Sequence, residues 1–161
     1  MGIPRAESSR VGGGPLVSEM FGEAANLLRE AGGEYGAATG RPGRVGDFDV
    51  VATRYGCRMQ GADEMVLTML DVPSYMDEIP VCVAYEVDGS VTTEFPYGAA
   101  LDRAKPVLET RPGWKADITA ARKKEDLPKE ALDYIAFVQQ AVGCTIKYVS
   151  VGPARDACIV L

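Results

Sequence analysis

Two arginines and a threonine lie among glycines in the segment 34–49, EYGAATGRPGRVGDFD. Arg41 and Arg44 offer planar groups of fixed positive charge, which suit a carboxylate or a phosphate. Thr39 adds a hydroxyl donor, and the glycines leave backbone N–H groups uncovered and permit positive φ. The pattern is typical of a loop that binds an anion. A surface linker with two solvated arginines has the same composition, so both interpretations stand on composition alone.

A carboxylate, Asp71, follows the short apolar run MVLTML at 65–70. The run is typical of a buried strand that ends at a loop. A carboxylate in that place can accept hydrogen bonds from N1–H and from the amino group of guanine, whereas adenine presents an acceptor at N1 and is repelled. The alternative is a loop aspartate that caps a turn.

The composition excludes several classes of protein. The chain has 161 residues, is 47% hydrophobic and carries a formal net charge of −6, which fits one globular domain and argues against nucleic-acid binding. Histidine is absent and the four cysteines show no CxxC spacing, so we expect no metal site. No apolar run approaches the roughly 20 residues of a membrane helix. No signal region is visible either, so we expect a cytoplasmic protein without membrane or nucleic-acid partners.

Apolar periodicity predicts an α/β fold with a mixed sheet and about three helices. Ser18 is the predicted N-cap of the first helix, and Asp47 or Asp49 that of the second. The third begins near Pro128, ends before Gly143 and carries an apolar stripe of Ala131, Ile135, Val138 and Val142. The predicted strands are 65–70, 80–87, 90–95, 106–110, 145–151 and 157–161. Asp88–Gly89 is a hairpin turn signal between the second and third of them.

Three further side chains are predicted to be structural. Trp114 follows a Pro–Gly turn and is expected to pack on the core with its N–H satisfied locally. Cys82 and Cys158 lie in apolar strand-like runs and are expected to be buried thiols.

Seven short segments resemble the adenylosuccinate synthetase family in their order and spacing, from about residue 9 to residue 161. They are SRVGGGPLVSEMF, GAATGRPGRVGDFD, LTMLDV, VCVAYEVDG, ETRPGW, LPKEALDYI and SVGP. The resemblance implies that residues 1–161 are the C-terminal portion of a single P-loop-NTPase-like domain. It also implies a GTP-dependent ligase that joins IMP and L-aspartate to give adenylosuccinate in AMP biosynthesis. Such an enzyme would act in the cytoplasm as a homodimer and would use Mg²⁺.

The resemblance assigns contacts with aspartate and IMP to two segments. The aspartate loop comprises Ala37, Ala38, Thr39, Gly40, Arg41, Pro42 and Gly43. Arg41 would lie between aspartate and the IMP ribose, and the backbone of Val11 and Gly12 would contact that ribose, although a flexible leader is the alternative for this early segment. Ala38 stands where a second threonine is usual. Gly43 stands where the family has an arginine that reaches the aspartate and GTP side.

Contacts with GTP are assigned by the same resemblance to the residues Gly43, Met69, Leu70, Asp71, Ser150, Val151 and Gly152. Asp71 would read the guanine base, and the backbone of 150–152 would face its O6 edge. Met69 stands in place of a lysine whose stem packs over the base, and can replace the stem but not the charge. Taken alone, Val–Gly–Pro indicates only a turn.

The family's phosphate loop GDEGKGK, its catalytic aspartate and its catalytic histidine do not occur in this sequence. No residue is therefore assigned a catalytic role, and Mg²⁺ is expected to bind the N-terminal portion of the enzyme. Phosphoryl transfer depends on such a loop and metal, so we expect the chain alone to be inactive. The alternative is a non-catalytic binding or interaction module that retains the fold, which the departures at Gly43 and Met69 slightly favour.

Overall fold

The computed structural model describes residues 4–161, and the helices and strands in this range confirm the predicted mixed α/β class. The α-helices are α1 (Gly22–Gly32), α2 (Val50–Gln60), α3 (Ala99–Asp102) and α4 (Lys129–Val142). The strands are β1 (Ser8–Arg10), β2 (Arg44–Gly46), β3 (Phe48–Asp49), β4 (Glu64–Leu67), β5 (Glu78–Val87), β6 (Ser90–Thr92), β7 (Lys105–Pro112), β8 (Thr145–Ser150) and β9 (Cys158–Val160). The predicted first and third strands end earlier than expected, because β4 ends at Leu67 and β6 at Thr92.

The strands within residues 4–161 form three sheets. In the largest, β5 pairs along its length with antiparallel β7, and on its other edge with parallel β3 and antiparallel β6. In the second, β4 and β8 are parallel and β9 is antiparallel to β8. The third is the antiparallel pair β1–β2. Parallel pairing brings the carboxyl ends of β4 and β8 to one edge, where two of the sequence-predicted site segments begin.

Helices α2 and α4 form as the sequence predicts. The Asp49 carboxylate accepts a hydrogen bond from the Ala52 N–H at 2.9 Å and so caps α2. Asp49 also accepts from the Tyr85 hydroxyl at 2.5 Å, which ties this cap to β5. The predicted apolar stripe of α4 is buried in the main hydrophobic core, and consists of Ala131, Ile135, Val138 and Val142.

The prediction that Ser18 caps the first helix is wrong. Helix α1 begins at Gly22, and the Ser18 hydroxyl instead donates to the Asp47 carbonyl at 2.8 Å. The backbone around Ser18 lies along β2, with a bridge between Glu19 and Gly46. A Cβ atom on Gly46 would lie 2.3 Å from the Ser18 carbonyl oxygen, so this close approach requires glycine.

Two of the three predicted structural side chains are confirmed. Trp114 is buried and its indole N–H donates to Ser74 Oγ at 2.9 Å. Cys82 is buried in β5. The prediction for Cys158 is wrong, because this thiol is exposed at the start of the edge strand β9, whose alternate residues face outward.

Candidate functional site

The fold brings the two segments assigned to aspartate and IMP together in one cleft. In the β1–β2 ladder Arg10 pairs with Arg44, so the residues after β1 lie beside the residues before β2. The cleft has a volume of about 330 Å³. Its lining consists of Arg10, Val11, Gly12, Gly36, Thr39, Arg41, Pro42, Gly43 and Arg44. Ala37, Ala38 and Gly40 belong to the same turn of the loop but do not line the cleft.

The loop at 36–43 uses much of its own backbone polarity to hold its shape. The Gly36 N–H donates to the Arg41 carbonyl at 2.8 Å, and the Gly40 N–H donates to the Gly36 carbonyl at 2.7 Å. The Arg41 N–H donates to Thr39 Oγ1 at 3.3 Å. Few backbone N–H groups of the loop are therefore left for an anion. Of its glycines only Gly40 has a positive φ, at 64°.

The two arginines of the loop differ in what they contact. The Arg41 guanidinium is exposed and makes no hydrogen bond or ion pair with residues 4–161. Arg44 donates to the Glu19 carboxylate and to the carbonyls of Gly12 and Gly14. Four of the five N–H donors of Arg44 are thus engaged within the fold, which argues against the expectation that Arg44 binds an anion. Arg41 remains the side chain able to meet a negatively charged substrate.

Gly43, the position of the missing arginine, has no positive φ, so its backbone conformation does not require glycine. A Cβ atom there would lie 3.0 Å from the Glu34 carbonyl oxygen. This is tight because Gly43 and Glu34 are joined by a backbone hydrogen bond of 2.8 Å. A longer side chain at this position would need a small shift of the loop.

The segments assigned to guanine also meet, at the carboxyl ends of β4 and β8. The Met69 N–H donates to Ser150 Oγ at 3.1 Å, and the Leu70 N–H donates to the Ser150 carbonyl at 2.9 Å. Val151 is buried, and Gly152 follows in a half-buried turn. Ser150 thus fixes the position of the chain immediately before Asp71.

The Asp71 carboxylate has an unsatisfied oxygen. Its Oδ1 is buried and has no hydrogen-bond partner in residues 4–161. Burial, with a smaller contribution from the negative charge of Asp117, raises the pKa of Asp71. Asp71 precedes the short 3₁₀ turn Val72–Tyr75 but makes no side-chain cap to it, so the interpretation as a turn cap is wrong. A buried acceptor without a partner is costly, and a ligand that donates to it would remove that cost.

Met69 adopts a left-handed backbone conformation with φ of 60°, which is uncommon for a residue other than glycine. A β-branched side chain is poorly tolerated there, whereas lysine has the same unbranched Cβ as methionine. We expect Met69→Val to lower the free energy of unfolding by roughly 1–2 kcal/mol. Met69→Lys should change it by less than about 0.5 kcal/mol. Urea unfolding of the wild type, Met69→Val and Met69→Lys measures both differences in the free energy of unfolding. A valine variant as stable as the wild type would show that the left-handed conformation at Met69 is not strained.

Glu7 is a residue that sequence reasoning missed. It is 5% exposed, and neither carboxylate oxygen has a hydrogen-bond partner within the described range. Arg5 Nη1 lies 3.6 Å from its Oε1, while the same group forms an ion pair with Glu34. Burial and the charge of Glu34 raise the pKa of Glu7 to about 7, although Arg5 opposes this. The surrounding sequence, RAESSR, gave no signal that this acid would be buried.

Two kinds of site have no support in the part of the chain that the structure describes. No group of three or more histidine, cysteine, aspartate or glutamate side chains in this part could hold a metal ion. Among the helices of residues 4–161, none combines the length and the apolar character needed to cross a membrane.

Comparison with known proteins gives one consistent family. The family model for adenylosuccinate synthetase matches residues 1–159. The adenylosuccinate synthetase of Salinibacter ruber is 48% identical over 160 residues, which are 99% of this chain and 36% of that protein. That of Kocuria rhizophila is 48% identical over 162 residues, which are 38% of its length.

A solved structure agrees with these sequence matches. The fully ligated adenylosuccinate synthetase from Plasmodium falciparum superposes with a TM-score of 0.92 and is 32% identical, over 98% of this chain and 38% of that one. The present chain therefore spans little more than a third of the length of the relatives that it matches.

Proposed function

The chain belongs to the adenylosuccinate synthetase family, and we therefore propose that it is the C-terminal, substrate-binding portion of a GTP-dependent ligase. The ligase joins IMP and L-aspartate: IMP is phosphorylated at O6 by GTP, and the aspartate amine then displaces the phosphate. In this proposal residues 4–161 contact all three substrates, aspartate, IMP and GTP, and supply no catalytic group. Mg²⁺, the phosphate loop and the proton-transfer groups belong to the rest of the enzyme, which would act as a cytoplasmic homodimer.

One observation carries this proposal: a guanidinium without a partner in residues 4–161 lies in the cleft that also contains Val11 and Gly12. A dicarboxylate such as aspartate needs a fixed positive charge and small polar donors, which Arg41 and Thr39 offer. The IMP ribose would meet the backbone of Val11 and Gly12 on the opposite wall. The two substrates that must react would then lie side by side.

The guanine side is supported by separate contacts. Ser150 holds the backbone of Met69 and Leu70 through two hydrogen bonds. The next residue is Asp71, whose Oδ1 is buried and unsatisfied within residues 4–161. We propose that this oxygen accepts from guanine and that the turn after Ser150 faces the O6 edge. These residues would bind the base of GTP, while the family's phosphate loop binds its phosphates.

The proposal predicts that this chain completes a ligase when it is mixed with the missing portion. The partner to mix is the part of the Salinibacter ruber enzyme that precedes the matching segment, expressed by itself. With GTP, IMP, aspartate and Mg²⁺ present, neither part alone should form adenylosuccinate, and the mixture should. Formation is followed by absorbance, and Arg41→Leu should raise the KM for aspartate about tenfold or more.

Two controls make this experiment decisive. The matching C-terminal portion of the Salinibacter ruber enzyme shows whether two separate parts can assemble at all. Arg58→Leu removes an exposed arginine that pairs with Glu94 away from the cleft, and should leave the KM for aspartate unchanged. Turnover by the present chain alone would contradict the proposal. If the present chain is folded but its mixture is inactive, while the mixture with the Salinibacter ruber C-terminal portion is active, the binding-module alternative would be favoured.

A further inference from the structure

The segment 11–14, of which Val11 and Gly12 line one wall of the cleft, is not held in place by packing. Val11 is 99% exposed, and Gly12, Gly13 and Gly14 are exposed as well. The β1 ladder ends at Arg10, so strand pairing does not extend into this segment. Hydrogen bonds to its carbonyl groups must therefore decide where it lies.

Arg44 supplies the bonds that join this segment to the rest of the fold. Its Nη1 donates to the Gly12 carbonyl at 3.1 Å and to the Gly14 carbonyl at 2.7 Å. Arg10 also bonds to the segment, at the Gly13 carbonyl, but it is part of the same stretch of chain. The bonds from Arg44 are thus the ones that tie the segment to β2.

Glu19 holds Arg44 in the orientation that these bonds require. Its two carboxylate oxygens accept from Arg44 Nε at 2.8 Å and from Nη2 at 2.5 Å. Arg44 lies directly opposite Arg10 in the ladder, where two like charges would repel each other. The Glu19 carboxylate compensates for this, and its hydrogen bonds with Arg44 lower the pKa of Glu19. Only a planar guanidinium can make all four contacts at once, since an ammonium lacks the fixed fork.

We propose that Glu19 and Arg44 form a positioning pair that holds the segment 11–14 against the aspartate loop and thereby sets the IMP side of the cleft. This inference rests on the proposed function for the identity of the substrate, but the ordering of the segment does not depend on it. Both residues act through Val11 and Gly12 and contact no substrate themselves. Loss of the pair should weaken IMP binding and leave the aspartate loop intact, because the bonds within 34–43 do not involve Arg44.

The first test measures order in the chain itself. Nitrogen-15 relaxation of the wild-type chain should give backbone order parameters at 12–14 close to the rigid value of about 0.85. In Arg44→Lys they should fall below about 0.6 at these residues only. Glu19→Gln keeps one of the two acceptor oxygens and loses the charge, and should give an intermediate value. Arg58→Lys alters an exposed arginine–glutamate pair elsewhere and is the matched control. Unchanged order in Arg44→Lys, or a disordered segment in the wild type, would overturn the inference.

The second test separates the two substrates in the reconstituted mixture. Arg44→Lys should raise the KM for IMP about tenfold, whereas the KM for aspartate and kcat should change less than about twofold. A purely structural role would instead lower the amount of active enzyme and leave both KM values unchanged. Equal increases for both substrates would overturn the inference. An inactive wild-type mixture would contradict the proposed function alone, because the order parameters are measured on the isolated chain.

Discussion

Asp71→Asn in the reconstituted ligase is expected to lower kcat/KM for GTP by about 100-fold, since a buried charge-assisted contact contributes about 2–3 kcal/mol. The Oδ1 of Asp71 is buried and unsatisfied in residues 4–161, and under the proposed function the carboxylate accepts from guanine N1–H and the amino group. The asparagine amide would instead donate to the oxygen at C2 of xanthine. The variant should therefore use xanthosine triphosphate better than the wild type does, as steady-state kinetics with both nucleotides will show.

Asp117→Asn is the matched control for this prediction. Asp117 is exposed, and its charge is close enough to raise the pKa of Asp71. Its carboxylate is held by Thr119, with the hydroxyl donating at 2.6 Å. Removing this charge should leave the preference for GTP over xanthosine triphosphate unchanged. If Asp71→Asn also left that preference unchanged, Asp71 would not belong to the nucleotide site.

Glu7→Gln is expected to change how the stability of the chain depends on pH. Folding raises the pKa of Glu7 from 4.5 to about 7, so the folded chain binds a proton more tightly than the unfolded chain. This contribution to stability is fully present below pH 4.5 and is lost as the pH rises through about 7. It amounts to on the order of 3 kcal/mol for a buried group. The glutamine variant lacks it, and its free energy of unfolding should fall much less between pH 5 and pH 8.

Urea unfolding at several pH values tests this expectation. Glu78→Gln changes an exposed glutamate at the start of β5 and should keep the wild-type pH dependence. Burial also raises the pKa of Asp47, to about 6, so Glu7→Gln should retain a smaller decline, which Asp47→Asn should reduce further. Identical pH profiles for the wild type and Glu7→Gln would show that Glu7 is paired or solvated in the folded chain.

Several elements could be predicted from sequence because their signals are local. The stripe on α4, the Asp49 cap of α2 and the turn after β5 each depend on residues within a few positions of one another. The family follows from the order of short segments along the chain, which needs no coordinates. For the same reason the sequence identified 37–43 and Asp71 as candidate site residues, and their roles in binding stay predictions.

Other features depend on chain segments that are distant in sequence, and the tertiary structure decided them. Ser18 does not cap α1, because its hydroxyl donates to the Asp47 carbonyl instead. Cys158 is exposed because it lies on the outward face of the edge strand β9. Arg41 and Arg44 are the same residue type, so the sequence cannot distinguish them. In the folded chain the Glu19 carboxylate and the Gly14 carbonyl accept hydrogen bonds from Arg44 but not from Arg41.

The sequence alone determined the family, the α/β class and the segments that carry the candidate site. Only the tertiary structure showed that Val11 and Gly12 share a cleft with the loop at 36–43, that Ser150 holds the residues before Asp71, and that Glu7 is buried. The physical reason is that propensity and periodicity act over a few residues. Burial, the occupation of hydrogen-bond donors and shifts in pKa depend instead on which distant segments the folded chain brings into contact.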